Sequence, residues 1–218
     1  MQKFTEKAFT EQQFSRADVE VIATHPRYQG FLSTTAYELR HRLFAGGWSP
    51  VIQRELMERG HAVVVLPYDP KREELILLEQ FRVGAMATSD TPWLLEFVAG
   101  MVDAKDADLA AVAARELQEE AGLTAQRLHY ALSYLSSPGG MSERIYVYVA
   151  EVDSASASEF GGVEDEHEDI RVHRISVDQA MTLLAEGRID NAASVIALQW
   201  FALNKAQLFA DVNVATTP

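Results

Sequence analysis

The chain has 218 residues with a formal net charge of −13, and 48% of its residues are hydrophobic. So acidic a balance argues against a nucleic-acid surface, because such surfaces need basic patches to neutralise phosphates. There is no cysteine to form a disulfide or act as a nucleophile, and no apolar run long enough for a signal peptide or a membrane span. We therefore expect a cytoplasmic protein whose partners include neither nucleic acid nor a membrane.

Residues 1–58 predict a small domain built from β-strands. The first 17 or so residues are polar and lack a sustained period, which is typical of a partly ordered tail. Strand-forming runs follow at 19–23 and 31–44 with a turn at 26–30 between them, and the run at 51–57 fits a strand better than one helical turn. A segment with so few strand residues cannot bury much hydrophobic core by itself. We therefore expect the edges of these strands to be covered, for example by a second copy of the chain.

Residues 59–218 predict an α/β/α sandwich on a mixed sheet. Strands are expected at 61–68, 74–82, 93–98, 128–135, 143–152 and 170–175. Helices are expected at 177–185 and 192–208, in addition to a helix that ends near residue 121. The order of strand, loop and helix around residue 100 places that earlier helix beside the ends of the sheet.

This earlier helix has a clear apolar stripe and a clear end. Its stripe repeats every four residues, at Leu109, Ala113 and Leu117. Gly122 is suited to the left-handed cap that ends a helix, and Asp103 or Asp106 could cap its start.

The acidic residues at the end of this helix indicate a metal site. Glu116, Glu119 and Glu120 share one face, where like charges repel and the helix dipole disfavours negative charge. A divalent cation would reverse both effects, and clustered carboxylates are the ligands of a hard ion such as Mg²⁺, with Mn²⁺ also possible. The alternative is a solvated acidic face.

The wider pattern around this helix resembles the signature of the Nudix hydrolases. Gly100 is followed by Arg115-Glu116-Leu117, Glu119-Glu120 and Gly122-Leu123, which match the family's glycine and its R-E-U-x-E-E-x-G-U core, where U is aliphatic. The stretch from Gly100 to Arg115 is one residue longer than in the family, and Asp106 or Ala107 replaces the early glutamate.

A longer resemblance, from about Asp18 to Phe201, is to the bacterial ADP-ribose pyrophosphatase branch of this family. It rests on RGHA (59–62), TPWLLE (91–96), VAGM (98–101), SPGG-x-SER (137–144), E-x-EDIRVH (166–173) and IDNAASVIALQW (189–200). The resemblance implies Mg-dependent hydrolysis of ADP-ribose to AMP and ribose 5-phosphate, and Pro138 matches a proline that marks ADP-ribose preference. There are two alternatives. The protein could be a Nudix hydrolase that prefers another nucleotide sugar, or a non-catalytic module that binds ADP-ribose and regulates transcription.

The resemblance also implies roles for particular residues at the metal site. Glu116, Glu119 and Glu120 would bind the metal with the backbone carbonyl of Ala99, and Arg115 would orient a glutamate. The catalytic base should lie outside the helix, and an acidic loop at 161–169, flanked by glycines that allow it to move, holds the candidates. Glu166 matches the family's base and Glu168 its neighbour, while the sequence alone leaves Glu164 open as well.

Substrate contacts are implied in the same way. Arg82 would contact phosphate or ribose, Phe31 and Arg54 would lie around the adenine, and Met101 and Glu143 would lie near the substrate. The resemblance further implies a homodimer in which an exchanged N-terminal domain brings Phe31 and Arg54 to the partner's site.

Overall fold

A computed structural model of the protein describes residues 13–103 and 105–208. The chain forms two compact units. The first comprises the residues up to Arg59 together with Ser137–Ser142, and the second comprises Gly60–Ser136 and the residues from Glu143 onward. Most of the predicted N-terminal tail, residues 1–12, lies outside the described residues.

The first unit contains a three-stranded antiparallel sheet. Its strands are β1 (Val19–Gln29), β2 (Ser33–His41) and β3 (Ile52–Glu58), and they lie in the order β1-β2-β3. The predicted turn at 26–30 is wrong, because β1 continues through Pro26 and the reversal comes at 30–32. Proline is tolerated there because β1 is an edge strand and its register shifts between Pro26 and Tyr28.

The segment Ser137–Ser142 is bonded to the end of β3. The backbone N–H of Met57 donates to the carbonyl of Gly140 at 2.8 Å, and the N–H of Ser142 donates to the carbonyl of Met57 at 3.2 Å. The sequence prediction had placed this Pro-Gly-Gly turn in the second domain, since it joins two strands of that domain.

The second unit is built on an eight-stranded sheet. Its strands are β4 (His61–Asp69), β5 (Glu74–Phe81), β6 (Trp93–Glu96), β7 (Val98–Val102), β8 (Arg127–Leu135), β9 (Arg144–Glu151), β10 (Phe160–Gly161) and β11 (Ile170–Ser176). The main path is β10-β11-β5-β4-β9-β8, with β6 paired to β5 and β7 paired to β4. The pair β4 and β9 is parallel and the other pairs are antiparallel, so the predicted mixed sheet is confirmed.

In the part of the chain that the structure describes, three α-helices pack on this sheet: α1 (Leu109–Ala121), α2 (Val177–Ala185) and α3 (Ala192–Leu208). Side chains of β4 alternate between the two faces of the sheet. Val63 and Val65 belong to the core cluster that includes Leu117 of α1, whereas Val64 belongs to the cluster that includes Phe201 of α3. The predicted α/β/α sandwich is therefore confirmed. No helix among the described residues is both long and apolar enough to cross a membrane.

Two local predictions for the region around α1 are wrong. The helix is capped by Asp108, whose side chain accepts a hydrogen bond from the N–H of Ala110, and not by Asp103 or Asp106. The strand expected at 93–98 is two strands, because the chain passes from pairing with β5 to pairing with β4 at Phe97. The end of α1 is as predicted, since Gly122 is left-handed with φ 66°.

Candidate active site

The centre of the site is the close approach of β7 and α1. A Cβ atom at Gly100 would lie 1.9 Å from the carboxyl carbon of Glu116 and 2.3 Å from either carboxylate oxygen. Gly100 falls on the α1 side of the sheet, because residues two apart in a strand share a face and Val98 packs in the cluster with α1. Glycine at this position therefore leaves the space that the Glu116 carboxylate fills.

Glu120 lies one turn further along α1 and is buried, with 2% of its surface exposed. Its Oε2 accepts a hydrogen bond of 2.9 Å from the backbone N–H of Ala99. Because the N–H and C=O of one strand residue project from the same edge, the Ala99 carbonyl lies on the edge that faces Glu120. Burial raises the pKa of Glu120 to about 8, with smaller effects of the same sign from Glu168 and Glu116, while the Ala99 hydrogen bond and Arg82 oppose them.

Arg115 holds several of the nearby carboxylates. Its guanidinium donates to Oε1 of Glu116 at 2.8 Å, and it lies 3.7 Å from a carboxylate oxygen of Glu119 and 3.6 Å from one of Asp106. Of the two alternatives for the early acidic position, Asp106 is thus the residue whose side chain reaches Arg115. The additional residue between Gly100 and Arg115 does not prevent the contact between Asp106 and Arg115.

Burial also raises the pKa of Glu116, and the nearby carboxylates of Glu119 and Glu168 add to the effect while Arg115 opposes it. Glu168 lies in the acidic loop, where its Oε2 accepts a hydrogen bond of 3.1 Å from the N–H of Val163. The site thus gathers carboxyl groups on partly or fully buried side chains, where negative charge is unfavourable without a cation.

The acidic loop is positioned by β10, which packs against the end of α1. A Cβ atom at Gly161 would lie 1.9 Å from the backbone oxygen of Glu120, and the N–H of Gly162 donates to the carbonyl of Glu119 at 3.1 Å. The sequence interpretation of these glycines as residues that permit motion missed this role, which is to let two backbones approach. Glu166 falls in a 3₁₀ turn at Glu164–Glu166, but its side chain lies outside the part of the chain that the structure describes.

Arg82 directly follows β5, and its Nε donates a hydrogen bond of 2.8 Å to Oε2 of Glu96. Burial raises the pKa of Glu96. The charge and hydrogen bond of Arg82 lower this pKa, and the charge of Asp190 raises it by a smaller amount. The sequence analysis assigned no role to Glu96. Its position at the end of the apolar run WLLE was a signal, because a carboxylate buried among apolar residues needs a cationic partner.

The remaining predicted contacts are divided between the two units. In the second unit, Met101 is partly buried on β7, and Glu143 is 5% exposed just before β9. Burial raises the pKa of Tyr134 to about 12, and the charge of Glu143 adds to this effect. In the first unit, Phe31 is 90% exposed in the turn after β1, and Arg54 is exposed on β3.

The chemistry of the central donors suits a hard divalent cation. Glu116, Glu119 and Glu120 offer carboxylate oxygens and Ala99 offers a carbonyl, while the lack of a side chain at Gly100 leaves the space that the Glu116 carboxylate occupies. Within residues 13–103 and 105–208, no three acidic or histidine side chains are already arranged to enclose a cation. The present hydrogen bonds engage Oε1 of Glu116, through Arg115, and Oε2 of Glu120, through the Ala99 N–H.

Comparison with known proteins identifies the family. The sequence model of the NUDIX domain matches residues 58–198, more than half of the chain. The chain belongs to the NUDIX domain family. The matched region contains the whole carboxylate cluster around Gly100, the acidic loop, and the Arg82 and Glu96 pair.

Several relatives of this NUDIX protein have known names. The ADP-ribose pyrophosphatase of Escherichia coli K12 is 53% identical over 195 residues, covering 89% of this chain and 93% of that protein. The ADP-ribose pyrophosphatase of Haemophilus influenzae is 45% identical over 210 residues, covering 94% and 96%. The GDP-mannose pyrophosphatase of Enterobacter sp. strain 638 is 32% identical over 154 residues, covering 70% and 78%.

The fold of this NUDIX protein also has a solved counterpart. A crystal structure of an ADP compounds hydrolase superposes with a TM-score of 0.67 at 22% identity, covering 87% of this chain and 96% of that one. The predicted membership of the Nudix hydrolases and the predicted fold are both confirmed.

Proposed function

We propose that this protein is an ADP-ribose diphosphatase of the cytoplasm, which uses Mg²⁺ or Mn²⁺ to hydrolyse ADP-ribose to AMP and ribose 5-phosphate. Water adds across the pyrophosphate, so one P–O bond forms as the bridging P–O bond breaks. The observation that carries the proposal is the buried carboxylate cluster against Gly100, in a chain 53% identical to ADP-ribose pyrophosphatases over 89% of its length.

Glu116, Glu119, Glu120 and the Ala99 carbonyl would hold the cation in this proposal. A bound divalent cation shields phosphate charge and lowers the pKa of bound water. Arg115 keeps Glu116 directed towards Gly100 by its hydrogen bond of 2.8 Å, so its role is to orient that carboxylate.

The proton of the attacking water passes to a carboxylate of the acidic loop. The glutamates of α1 are committed to the cation, so the base must come from elsewhere, and we assign Glu166 to this role. Glu168 is its neighbour, and its charge raises the pKa of both Glu116 and Glu120, which supports a place beside the cation. Glu164 and Glu168 are the alternatives if Glu166 is not the base.

The substrate contacts complete the proposal. Arg82 would donate to phosphate or ribose oxygens, with Met101 and Glu143 near the bound substrate. Phe31 and Arg54 would enclose the adenine from the partner subunit of a homodimer with exchanged N-terminal domains. Exposed apolar side chains in the first unit support a covering partner: Ile22, Tyr28, Phe31, Phe44 and Val51 are each more than half exposed.

Other activities have less support. The 32% identity to GDP-mannose pyrophosphatases is lower and covers less of the chain, so ADP-ribose is the preferred substrate over other nucleotide sugars. A non-catalytic regulatory module is disfavoured because the R-E-L-Q-E-E core is intact and the chain is strongly acidic.

A substrate panel with product identification tests the proposed function. We expect turnover of ADP-ribose to equimolar AMP and ribose 5-phosphate in millimolar Mg²⁺, with at least tenfold lower kcat/KM for GDP-mannose and other nucleotide sugars. Full turnover in excess EDTA would contradict the role of the cation, and a preference for GDP-mannose would contradict the assigned substrate.

A subunit-mixing experiment tests the shared site. Light scattering on the intact protein should give a dimer, and Arg54→Ala and Glu120→Gln should each abolish or strongly reduce hydrolysis. If sites are shared, a mixed dimer regains at most one intact site, so mixing the two inactive variants should restore activity in part. A monomeric and fully active wild-type protein would refute the exchange.

A further inference from the structure

Among the described residues, the guanidinium of Arg82 is bonded through one of its three nitrogens, Nε. Its Nε donates to Glu96 at 2.8 Å, and its backbone N–H donates to the carbonyl of Pro92 at the same distance. Neither terminal NH2 group has an acceptor among the described residues. A guanidinium bound through Nε alone therefore keeps its two terminal groups for a ligand, and these groups suit phosphate oxygens.

Glu96 is largely buried, with 12% of its side chain exposed. A buried carboxylate needs a cationic partner, and Arg82 is the cation bonded to it.

Glu96 is itself fixed by bonds to the residues on either side of it. Asn191 donates from Nδ2 to the carbonyl of Leu95 at 2.9 Å, and the Oγ of Ser194 accepts a hydrogen bond of 3.0 Å from the N–H of Phe97. The N–H of Ser194 in turn donates to Oδ1 of Asn191 at 2.9 Å. Asn191 and Ser194, at the start of α3, thus hold the end of β6, which carries Glu96.

We infer that Glu96 is a positioning residue for the substrate: it holds Arg82 through Nε, so that the terminal NH2 groups are free for a phosphate or ribose oxygen. This inference rests on the proposed function, which assigns Arg82 to the substrate. Its consequence is for the affinity of the protein for ADP-ribose.

The inference is tested with Glu96→Gln in the full chain. The amide keeps the shape of the side chain and an oxygen acceptor but removes the charge, so KM for ADP-ribose should rise about 5- to 30-fold, as expected when a charge-assisted hydrogen bond is replaced by a weaker neutral one. The value of kcat should change less than about threefold, because the groups at the scissile bond are untouched.

A double-mutant cycle with Arg82→Ala separates positioning from a general structural effect. If Glu96 acts through Arg82, adding Glu96→Gln to Arg82→Ala should alter KM by less than about twofold. Equal effects of Glu96→Gln in both backgrounds would overturn the inference, as would an unchanged KM in the single variant.

The chain offers a matched control for this experiment. Arg127 donates from Nε to Oε2 of Glu151 at 2.5 Å, with side-chain exposures of 45% and 12%, close to the 41% and 12% of Arg82 and Glu96. Glu151→Gln removes a similar ion pair outside the site and should leave KM unchanged. A rise in KM with Glu151→Gln as large as with Glu96→Gln would show a structural effect and would count against the inference.

The cycle is repeated as equilibrium binding of ADP-ribose in excess EDTA, which requires no turnover. Wild-type binding in EDTA combined with no hydrolysis in millimolar Mg²⁺ would refute the proposed function while still testing Glu96 through the dissociation constants. Hydrolysis with no loss of affinity in Glu96→Gln would refute the inference alone, and a wild type that neither binds nor hydrolyses ADP-ribose would overturn both.

Discussion

Gly100 and Glu116 approach so closely that a side chain at Gly100 would displace the Glu116 carboxylate. The obstructing atoms, at 1.9 Å and 2.3 Å, are the far end of a flexible side chain. The carboxylate can therefore move aside at small cost to the fold, but it cannot then occupy its position in the site. A substitution at Gly100 should therefore reduce the activity of the protein much more than its stability.

Gly100→Ala should abolish most ADP-ribose hydrolysis while lowering the free energy of unfolding by less than about 1 kcal/mol. Gly161→Ala should behave differently, because its Cβ would lie 1.9 Å from the backbone oxygen of Glu120, which cannot move without α1. We expect Gly161→Ala to cost about 1–3 kcal/mol as well as activity. Chemical denaturation and steady-state assays check both variants, and an active Gly100→Ala enzyme would contradict the assigned role of Glu116.

Glu120→Gln should remove activity without destabilising the protein in the absence of cation. The carboxylate is buried beside other carboxylates, and these surroundings raise its pKa, so replacing it with a neutral amide should leave the free energy of unfolding in EDTA unchanged or higher. Mg²⁺ should stabilise the wild type but not the variant. Thermal denaturation with and without Mg²⁺ measures both effects. A large loss of stability in EDTA would instead favour a purely structural role.

Glu166→Gln should lower kcat by roughly 10²–10⁴-fold with little change in KM, if Glu166 takes the proton from the attacking water. Glu164→Gln is the matched control in the same 3₁₀ turn and should keep most activity. Glu168→Gln replaces one carboxylate oxygen by an NH2 group and weakens the hydrogen bond from the N–H of Val163, so it should have an intermediate effect through the position of the loop. Unchanged turnover in Glu166→Gln would move the base to Glu164 or Glu168.

Asp69 should make the stability of the second unit depend on pH, away from the active site. Burial alone would raise the pKa of Asp69, but hydrogen bonds from Ser154, Arg72 and Lys71 outweigh it and hold that pKa well below its ordinary value. Their contribution is therefore complete above about pH 4, the ordinary pKa of an aspartate, and is lost as the pH falls towards the lower pKa of the folded protein.

Asp69→Asn should consequently lower the free energy of unfolding at pH 7 by about 2–4 kcal/mol, because an amide cannot accept all of these hydrogen bonds. It should also flatten the fall in stability below pH 4. Asp90→Asn, at an exposed loop position, is the control and should change neither quantity. Urea denaturation from pH 2.5 to pH 7 measures the comparison, and parallel curves for wild type and Asp69→Asn would show that Asp69 is not the group responsible.

The local elements of this protein follow from its sequence alone. The bounds of α2 and α3 agree with the apolar period and the breaks that flank them, and Gly122 ends α1 as predicted. The carboxylate cluster is also local, because Glu116, Glu119 and Glu120 share a face through helical spacing alone. The start of α1 was predicted wrongly, because the sequence analysis expected Asp103 or Asp106 to cap the helix and Asp108 does so.

Contacts between residues distant in the chain were decided only by the tertiary structure. Glu96 and Arg82 meet because β6 pairs with β5, and Gly161 meets Glu120 because β10 lies at the end of α1. Such contacts depend on which strands pair and in which register, and the alternation of apolar residues specifies only the face of the sheet that each side chain takes. The sequence therefore determined which residues could bind a cation, whereas strand pairing determined which other residues hold them in place.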